Sequence, residues 1–100
     1  MANVELNRAL GECEKSLAMQ DRPATHDSKA FVLLRLKRFD DAIREYDLSL
    51  VSGDRASALF GRSLAYAHLG KAPQSSDDSA KALKLDPQIG RQFVSYDVSP

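Results

Sequence analysis

The sequence has little of what covalent cross-links and metal centres require. Its 100 residues include one cysteine, Cys13, which excludes an internal disulfide framework and a four-cysteine zinc site. Lys and Arg together number 14, as do Asp and Glu, so the formal net charge is zero. A chain without excess positive charge has no broad field to attract nucleic-acid phosphates or anionic lipid. We therefore expect no nucleic-acid partner and no membrane partner.

Long apolar runs are also missing. No stretch approaches the roughly 20 apolar residues of a membrane span. The N-terminal segment MANVELNRAL lacks the basic and then apolar layout of a signal peptide, which predicts a cytoplasmic protein. The hydrophobic fraction of 43% is typical of soluble globular chains, and the length suits one domain, residues 1–100, with a modest core.

Motifs for catalysis or cofactor binding are weak. The chain has no glycine-rich phosphate loop and no zinc-ligand spacing. The segment GRSLA resembles a nucleophile elbow, but that motif needs a preceding strand, whereas Ser63 falls within a predicted helix. The run SSDDS, residues 75–79, lacks the pattern of a calcium loop, so we predict a solvated helix face there. We expect no enzyme activity, no cofactor and no metal site.

A repeat runs through the chain with a period of about 33 residues, a length typical of stacked helical units. Residues that stand one period apart form a column of equivalent positions. In one column every residue is a leucine that follows a small residue, and two columns upstream keep the same spacing. The three columns are Leu17, Leu50 and Leu83; Ala9, Ala42 and Ser75; and Cys13, Tyr46 and Ser79. The columns stay in step along the whole chain, which indicates successive copies of one structural unit.

Each unit is predicted to contain two helices. In ASALFGRSLAYAHLG, apolar side chains recur every three or four residues, and Gly70 supplies a left-handed helix end. A second helix begins near Pro73 and runs to Leu85. The preceding unit repeats the plan with KAFVLLRL and RFDDAIREYDLSL. We predict that His26, Asp27 and Ser28 cap the helix start together with Thr25. A strand over AFVLL is the weaker alternative, because its neighbours have a helical period.

These columns resemble the tetratricopeptide repeat family. Its motif places a large residue, Leu-Gly, Tyr, then Ala with an aromatic four later, and finally Pro. The matching residues are Leu59, Arg62-Ser63, Tyr66, Leu69-Gly70, Ala82 and Pro87 in one unit, and Ala30, Leu33, Leu36, Phe39, Ala42 and Tyr46 in the other. The resemblance covers about residues 5 to 88. Ser75 and Ser79 depart from it, standing where the family has Ala and an aromatic, and His26 stands in the large-residue column.

The resemblance implies an all-α fold of antiparallel helix pairs, stacked as a right-handed superhelix of about five to six helices. It implies a leading helix over residues 4–20, repeats over 23–51 and 55–86, and a short capping helix or tail over 88–97. In such a stack, the first helix of each pair lines an inner groove.

The resemblance also implies a function. Members of the family bind a segment of a partner protein in this groove without catalysis, so we expect a protein-binding scaffold or adaptor whose apolar positions contact a peptide. The implied groove residues are Asp27, Phe31, Leu34, Arg35, Phe60, Leu64, Ala67 and His68. Arg35 and His68 would recognise an acid or a carbonyl. Alternatively, some of these residues pack against the C-terminal segment as core.

The ends of the repeat leave a second hypothesis open. Because the chain opens on the second helix of a pair, this helix exposes a face that a neighbour normally covers. A short helix containing Ile89, Phe93, Val94 and Tyr96 caps the stack, or the end helices pair with a second copy, or the chain belongs to a longer array. The alternative function is therefore an assembly element that forms a homodimer or caps a longer repeat.

Overall fold

The computed structural model describes residues 6–12, 22–51 and 53–94. Across these residues the fold is all-α, with six helices and no strand: α1 (residues 6–12), α2 (Pro23–Arg35), α3 (Phe39–Ser49), α4 (Ala56–His68), α5 (Ala72–Leu85) and α6 (Ile89–Val94). The predicted all-α class is confirmed, and AFVLL belongs to α2. Of the residues used in the sequence analysis, Cys13, Leu17 and Tyr96 lie outside the described ranges. Within these ranges, no helix is long and apolar enough to cross a bilayer.

The helix boundaries recur with the period of the sequence. Helices α2, α4 and α6 begin at Pro23, Ala56 and Ile89, each one repeat period after the one before. Helices α3 and α5 begin at Phe39 and Ala72, separated by the same period. A proline in the first turn of α2 and of α5 fixes the local backbone without removing a needed donor.

Helices α2 and α4 end with the same turn made by different residues. Gly70 after α4 has φ +76° and Lys37 after α2 has φ +63°, both in the left-handed region. In each turn the next amide, that of Arg38 or Lys71, donates to a carbonyl five residues earlier, at 2.9 and 2.8 Å. The predicted helix end at Gly70 is confirmed. At Lys37 the same geometry is strained, because a side chain disfavours a positive φ.

The helices pack in neighbouring pairs. Helix α2 packs against α3 and α4 against α5, while α3 also contacts α4, and α6 contacts α4 and α5. His26, near the start of α2, contacts Glu45, near the end of α3, so this pair is antiparallel. Asp27 and Ser57, both near helix starts, hydrogen-bond to each other, so α2 and α4 lie side by side and parallel.

The tightest approach joins α3 to α4 at Tyr46. This side chain is fully buried, and a Cβ placed on Gly61 would overlap its hydroxyl and ring carbons. Glycine is therefore required for α4 to lie against the ring. Leu6 and Leu10 of α1 are buried in the same apolar cluster, so the leading helix belongs to the core.

An ion pair recurs in the two helix pairs. Lys29 of α2 lies 3.1 Å from the carboxylate of Glu45 on α3, and the residues one repeat period later, Arg62 and Asp78, pair at 2.7 Å between α4 and α5. The prediction of a solvated face over residues 75–79 is wrong for Asp78, whose side chain is only 6% exposed. Its desolvation is offset because both its oxygens accept hydrogen bonds from Arg62.

Candidate partner-binding groove

The predicted groove residues occupy two parallel helices, α2 and α4. They form four couples. The two members of each couple are one repeat period apart, so they occupy equivalent positions on α2 and α4. The couples are Asp27 with Phe60, Phe31 with Leu64, Leu34 with Ala67, and Arg35 with His68.

Two of these residues meet at an aromatic cluster completed by α6. The ring centroid of Phe93 lies 5.3 Å from that of Phe31, with an interplanar angle of 86°. It also lies 5.1 Å from the ring of Phe60, tilted by 48°. Edge-to-face and tilted geometries of this kind are the favoured ones for aromatic pairs. Phe31 and Phe60 therefore pack against the C-terminal segment, as the alternative expectation held.

Further contacts of α6 show that it packs on the same face as the aromatic cluster. Ile89 and Phe93 are 2% and 4% exposed. A Cβ on Gly90 would lie 3.4 Å from a ring carbon of Phe60, so the backbone of α6 passes close to that ring. The predicted short C-terminal helix therefore exists over the described residues, and it lies on part of the groove face.

Leu34 and Leu64 lie deeper than a binding surface. They are 3% and 2% exposed and belong to the apolar cluster. In this conformation they stabilise the helix packing, and a partner reaches them only if a covering side chain moves. Phe31 and Phe60 remain partly exposed even beneath α6, so they are the aromatic groove residues that keep exposed surface.

The C-terminal ends of α2 and α4 supply the polar part of the face. The guanidinium carbon of Arg35 lies 5.9 Å from the ring centroid of Phe31, a cation–π contact. His68 is exposed and stacks on Phe39, with centroids 4.6 Å apart and planes within 4° of parallel. Ala67 is half-buried beside it. Arg35 keeps an aromatic neighbour in the groove, whereas His68 lies towards α3.

Asp27 ties the starts of α2 and α4 together. Its carboxylate accepts a hydrogen bond from the Ser57 hydroxyl at 2.5 Å and lies 3.7 Å from Nε of Arg55. Burial raises the pKa of Asp27 above its usual 3.8, although the Ser57 hydrogen bond and the Arg55 charge act in the opposite direction. Asp27 was predicted to face a ligand in the groove, but in the structure it binds Ser57 and lies near Arg55.

The predicted helix cap by Thr25, His26, Asp27 and Ser28 is wrong. Helix α2 begins after Arg22 without a side-chain cap, and Nδ1 of His26 instead lies 2.5 Å from Glu45 of α3. Phe93 is a further groove residue that the predicted set does not contain. A signal for it existed, because Phe93 stands one repeat period after Phe60, in the same column.

A hollow separate from the groove, with a volume of about 320 Å³, lies between α2 and α3. Its charged lining has both signs, with Lys29, Arg38, Asp41, Arg44 and Glu45. These charges satisfy one another, since Arg44 and Arg38 both bind Asp41 and hold the pKa of its carboxyl below the usual value. Across the residues that the structure describes, no group of three or more His, Cys, Asp or Glu side chains could hold a metal ion.

Comparison of the chain with known protein families, with curated proteins and with solved structures found no match.

Proposed function

We propose that the chain is a short tetratricopeptide-type array that binds a segment of a partner protein along the face of α2 and α4, without catalysis and without a cofactor. The architecture is supported by antiparallel pairs whose helix starts recur with the repeat period, at Pro23, Ala56 and Ile89. The observation that carries the function is the aromatic face, where Phe31 and Phe60 stay partly exposed on parallel helices.

The chemistry of this face suits a peptide with an apolar anchor. Large aromatic side chains contribute most of the binding energy at protein interfaces, and Arg shares this property. Phe31 and Phe60 offer the apolar centre, and Arg35 stands one helical turn beyond Phe31. A helical or extended segment with an aromatic or aliphatic anchor and a carboxylate near Arg35 is therefore the expected ligand.

A selection of displayed peptides against the full chain tests this proposal. We expect selected peptides to bind with an affinity that Phe60→Ala weakens at least about tenfold, because the anchor loses its aromatic contact. Leu48→Ala is the matched control, since Leu48 is 48% exposed on α3 and away from the groove. Circular dichroism checks helicity in both variants. Unchanged affinity in a folded Phe60→Ala protein would place the binding surface elsewhere.

A second candidate function is assembly through the end helices. Leu83 and Leu85 of α5 are 42% and 56% exposed, so the last helix of the second pair offers apolar surface to another chain. Sedimentation equilibrium over a wide concentration range tests this candidate. A species near 11.0 kDa at every concentration would reject it. A dimer that dissociates in the double variant Leu83→Lys, Leu85→Lys would support it.

A further inference from the structure

Helix α6 packs against α4 and α5, where the first helix of a third unit would lie. By its start at Ile89 it corresponds to the first helix of a third unit. In a repeat stack each unit contacts only its neighbours, so a third unit would contact α4 and α5 but not α2. Phe93 nevertheless contacts Phe31 of α2 as well as Phe60 of α4. The Phe93 side chain of α6 therefore reaches across the inner face to α2 and occupies part of that face.

We propose that α6 is a replaceable occupant of the groove. In this proposal the groove accepts from a partner a helix with the same pattern as α6: an aliphatic residue, a small residue directly after it, and an aromatic residue four positions after the aliphatic one. The inference rests on the function proposed above and deepens it by naming the class of ligand and its competitor.

The contacts of α6 define this pattern. The Phe93 ring fills the space between two aromatic rings, so the ligand needs an aromatic residue there. Ile89 is buried and lies one helical turn earlier on the same face. Gly90 passes the Phe60 ring at the distance of an ordinary Cβ contact, which favours a small residue. Arg91 is exposed and places no demand on the ligand.

The length of α6 makes it replaceable. Its described part, Ile89–Val94, has six residues, and helices shorter than about 12–15 residues are marginal without tertiary contacts. Its described buried anchors are Ile89 and Phe93. A longer partner helix offers the same anchors and covers the exposed parts of Phe31 and Phe60 as well. Because α6 competes for the site, the apparent affinity of the partner helix equals its intrinsic affinity multiplied by the fraction of molecules in which the site is open.

The test uses the full chain and a labelled synthetic peptide, DPQIGRQFVSYD, which copies residues 86–97. Fluorescence anisotropy measures its affinity for the wild-type protein and two variants. We expect Phe93→Ala to bind the peptide at least about tenfold more tightly than wild type, because the competing ring is gone. Arg91→Ala, the matched control in α6, should bind as wild type does. A peptide with alanine in place of its phenylalanine should not bind.

Hydrogen exchange on the wild-type chain provides a measurement that does not depend on the folding of Phe93→Ala. We expect α6 amides to exchange faster than those of α4, and saturating peptide to accelerate α6 further. Equal peptide affinity for wild type and a folded Phe93→Ala protein would overturn the proposal, as would α6 amides protected as strongly as α4 and unmoved by peptide.

The remaining outcomes separate this inference from the function on which it rests. If neither protein binds this peptide while selected peptides still depend on Phe60, the α6-like ligand is wrong and the groove stands. If selected peptides ignore Phe60, the groove itself is wrong. If sedimentation shows a dimer with exchanged α6 helices, the occupant is a second copy of the chain, and a partner helix is the wrong assignment.

Discussion

The two helix pairs share one layout but are held together by different chemistry. In the first pair the aromatic column holds Tyr46, which is fully buried. In the second pair the same column holds Ser79, a much smaller side chain that is only partly buried. There Arg62 and Asp78 form a buried bidentate ion pair, and Arg62 also reaches Asp47 of α3 at 2.8 Å. Both pairs contain an ion pair, but the first also contains a buried aromatic ring, whereas the second has a bidentate ion pair and no such ring.

This difference has an energetic meaning. Apolar contacts stabilise in proportion to the area that they bury, whereas a buried ion pair stabilises only while both partners are present. Removing one partner leaves an uncompensated charge. The first pair should therefore respond mainly to changes in shape, and the second to changes in charge.

The largest expected effect tests how closely the Tyr46 ring of the first pair must fit against α4. Gly61→Ala places a methyl group against the Tyr46 ring, so α3 and α4 must separate, at a cost of about 3 kcal/mol. Gly11→Ala is the matched control, because nothing lies within 4 Å of a Cβ at Gly11 in α1. There alanine should stabilise the helix by up to about 1 kcal/mol. Urea unfolding measures both, and similar values for the two variants would show that the α3–α4 contact is adaptable.

The next effect compares the two ion pairs directly. Arg62→Met should cost about 2 kcal/mol, because Asp78 is left buried without its bidentate partner, while the 21% exposure of Arg62 keeps the cost below that of a fully buried pair. Lys29→Met, the equivalent change one repeat period earlier, should cost about 1 kcal/mol, because Glu45 keeps its contact with His26. Thermal unfolding of both variants checks the order. Equal losses would mean that the second pair does not depend on charge more than the first.

A smaller effect concerns the left-handed turns that end α2 and α4. Lys37→Gly should stabilise the protein by about 0.5–1 kcal/mol, because glycine relieves the positive φ without losing a backbone hydrogen bond. Gly70→Ala should lose a similar amount at the equivalent turn, where no atom lies within 4 Å of an added Cβ. Chemical denaturation measures both, and changes of the same sign would contradict equivalence of the turns.

The smallest effect concerns Asp27, which joins the two pairs. Its folded pKa is raised above 3.8, so the folded state holds the proton more tightly, and stability falls as pH rises through this window. Asp27→Asn should therefore be at least as stable as wild type at neutral pH, and this advantage should shrink as pH falls through the raised folded pKa and become constant below 3.8. Urea midpoints across a pH series check this. A constant difference at all pH values would assign the effect to the Ser57 hydrogen bond instead of the charge.

Local features of the fold were predictable from the sequence. Apolar periodicity, the first-turn prolines and Gly70 define helices through short-range sterics and hydrogen bonding, which neighbouring residues largely determine. The repeat period likewise reports the spacing of the helix starts. Lys37 was not recognised as a second left-handed position, because an ordinary lysine carries no such signal.

Contacts between distant residues were harder to predict. Asp78 looked solvated because SSDDS is polar throughout, and only the equivalent cation and carboxylate of the preceding unit, Lys29 and Glu45, point to its partner. The helical period locates the face of a helix but does not say which segment covers that face. The placement of α6 on Phe31 and Phe60 therefore needed three-dimensional packing.

The contact between Phe31 and Phe93 also bears on how the molecule unfolds. It joins residues far apart in the chain, from the first full unit and from the helix that follows the second. A linear array can fray from its ends, since each unit depends only on its neighbours. A contact between the outer units closes the array, so the loss of either one weakens the other. We therefore expect unfolding in a single cooperative transition that loses its sharpness when the Phe93 ring is removed.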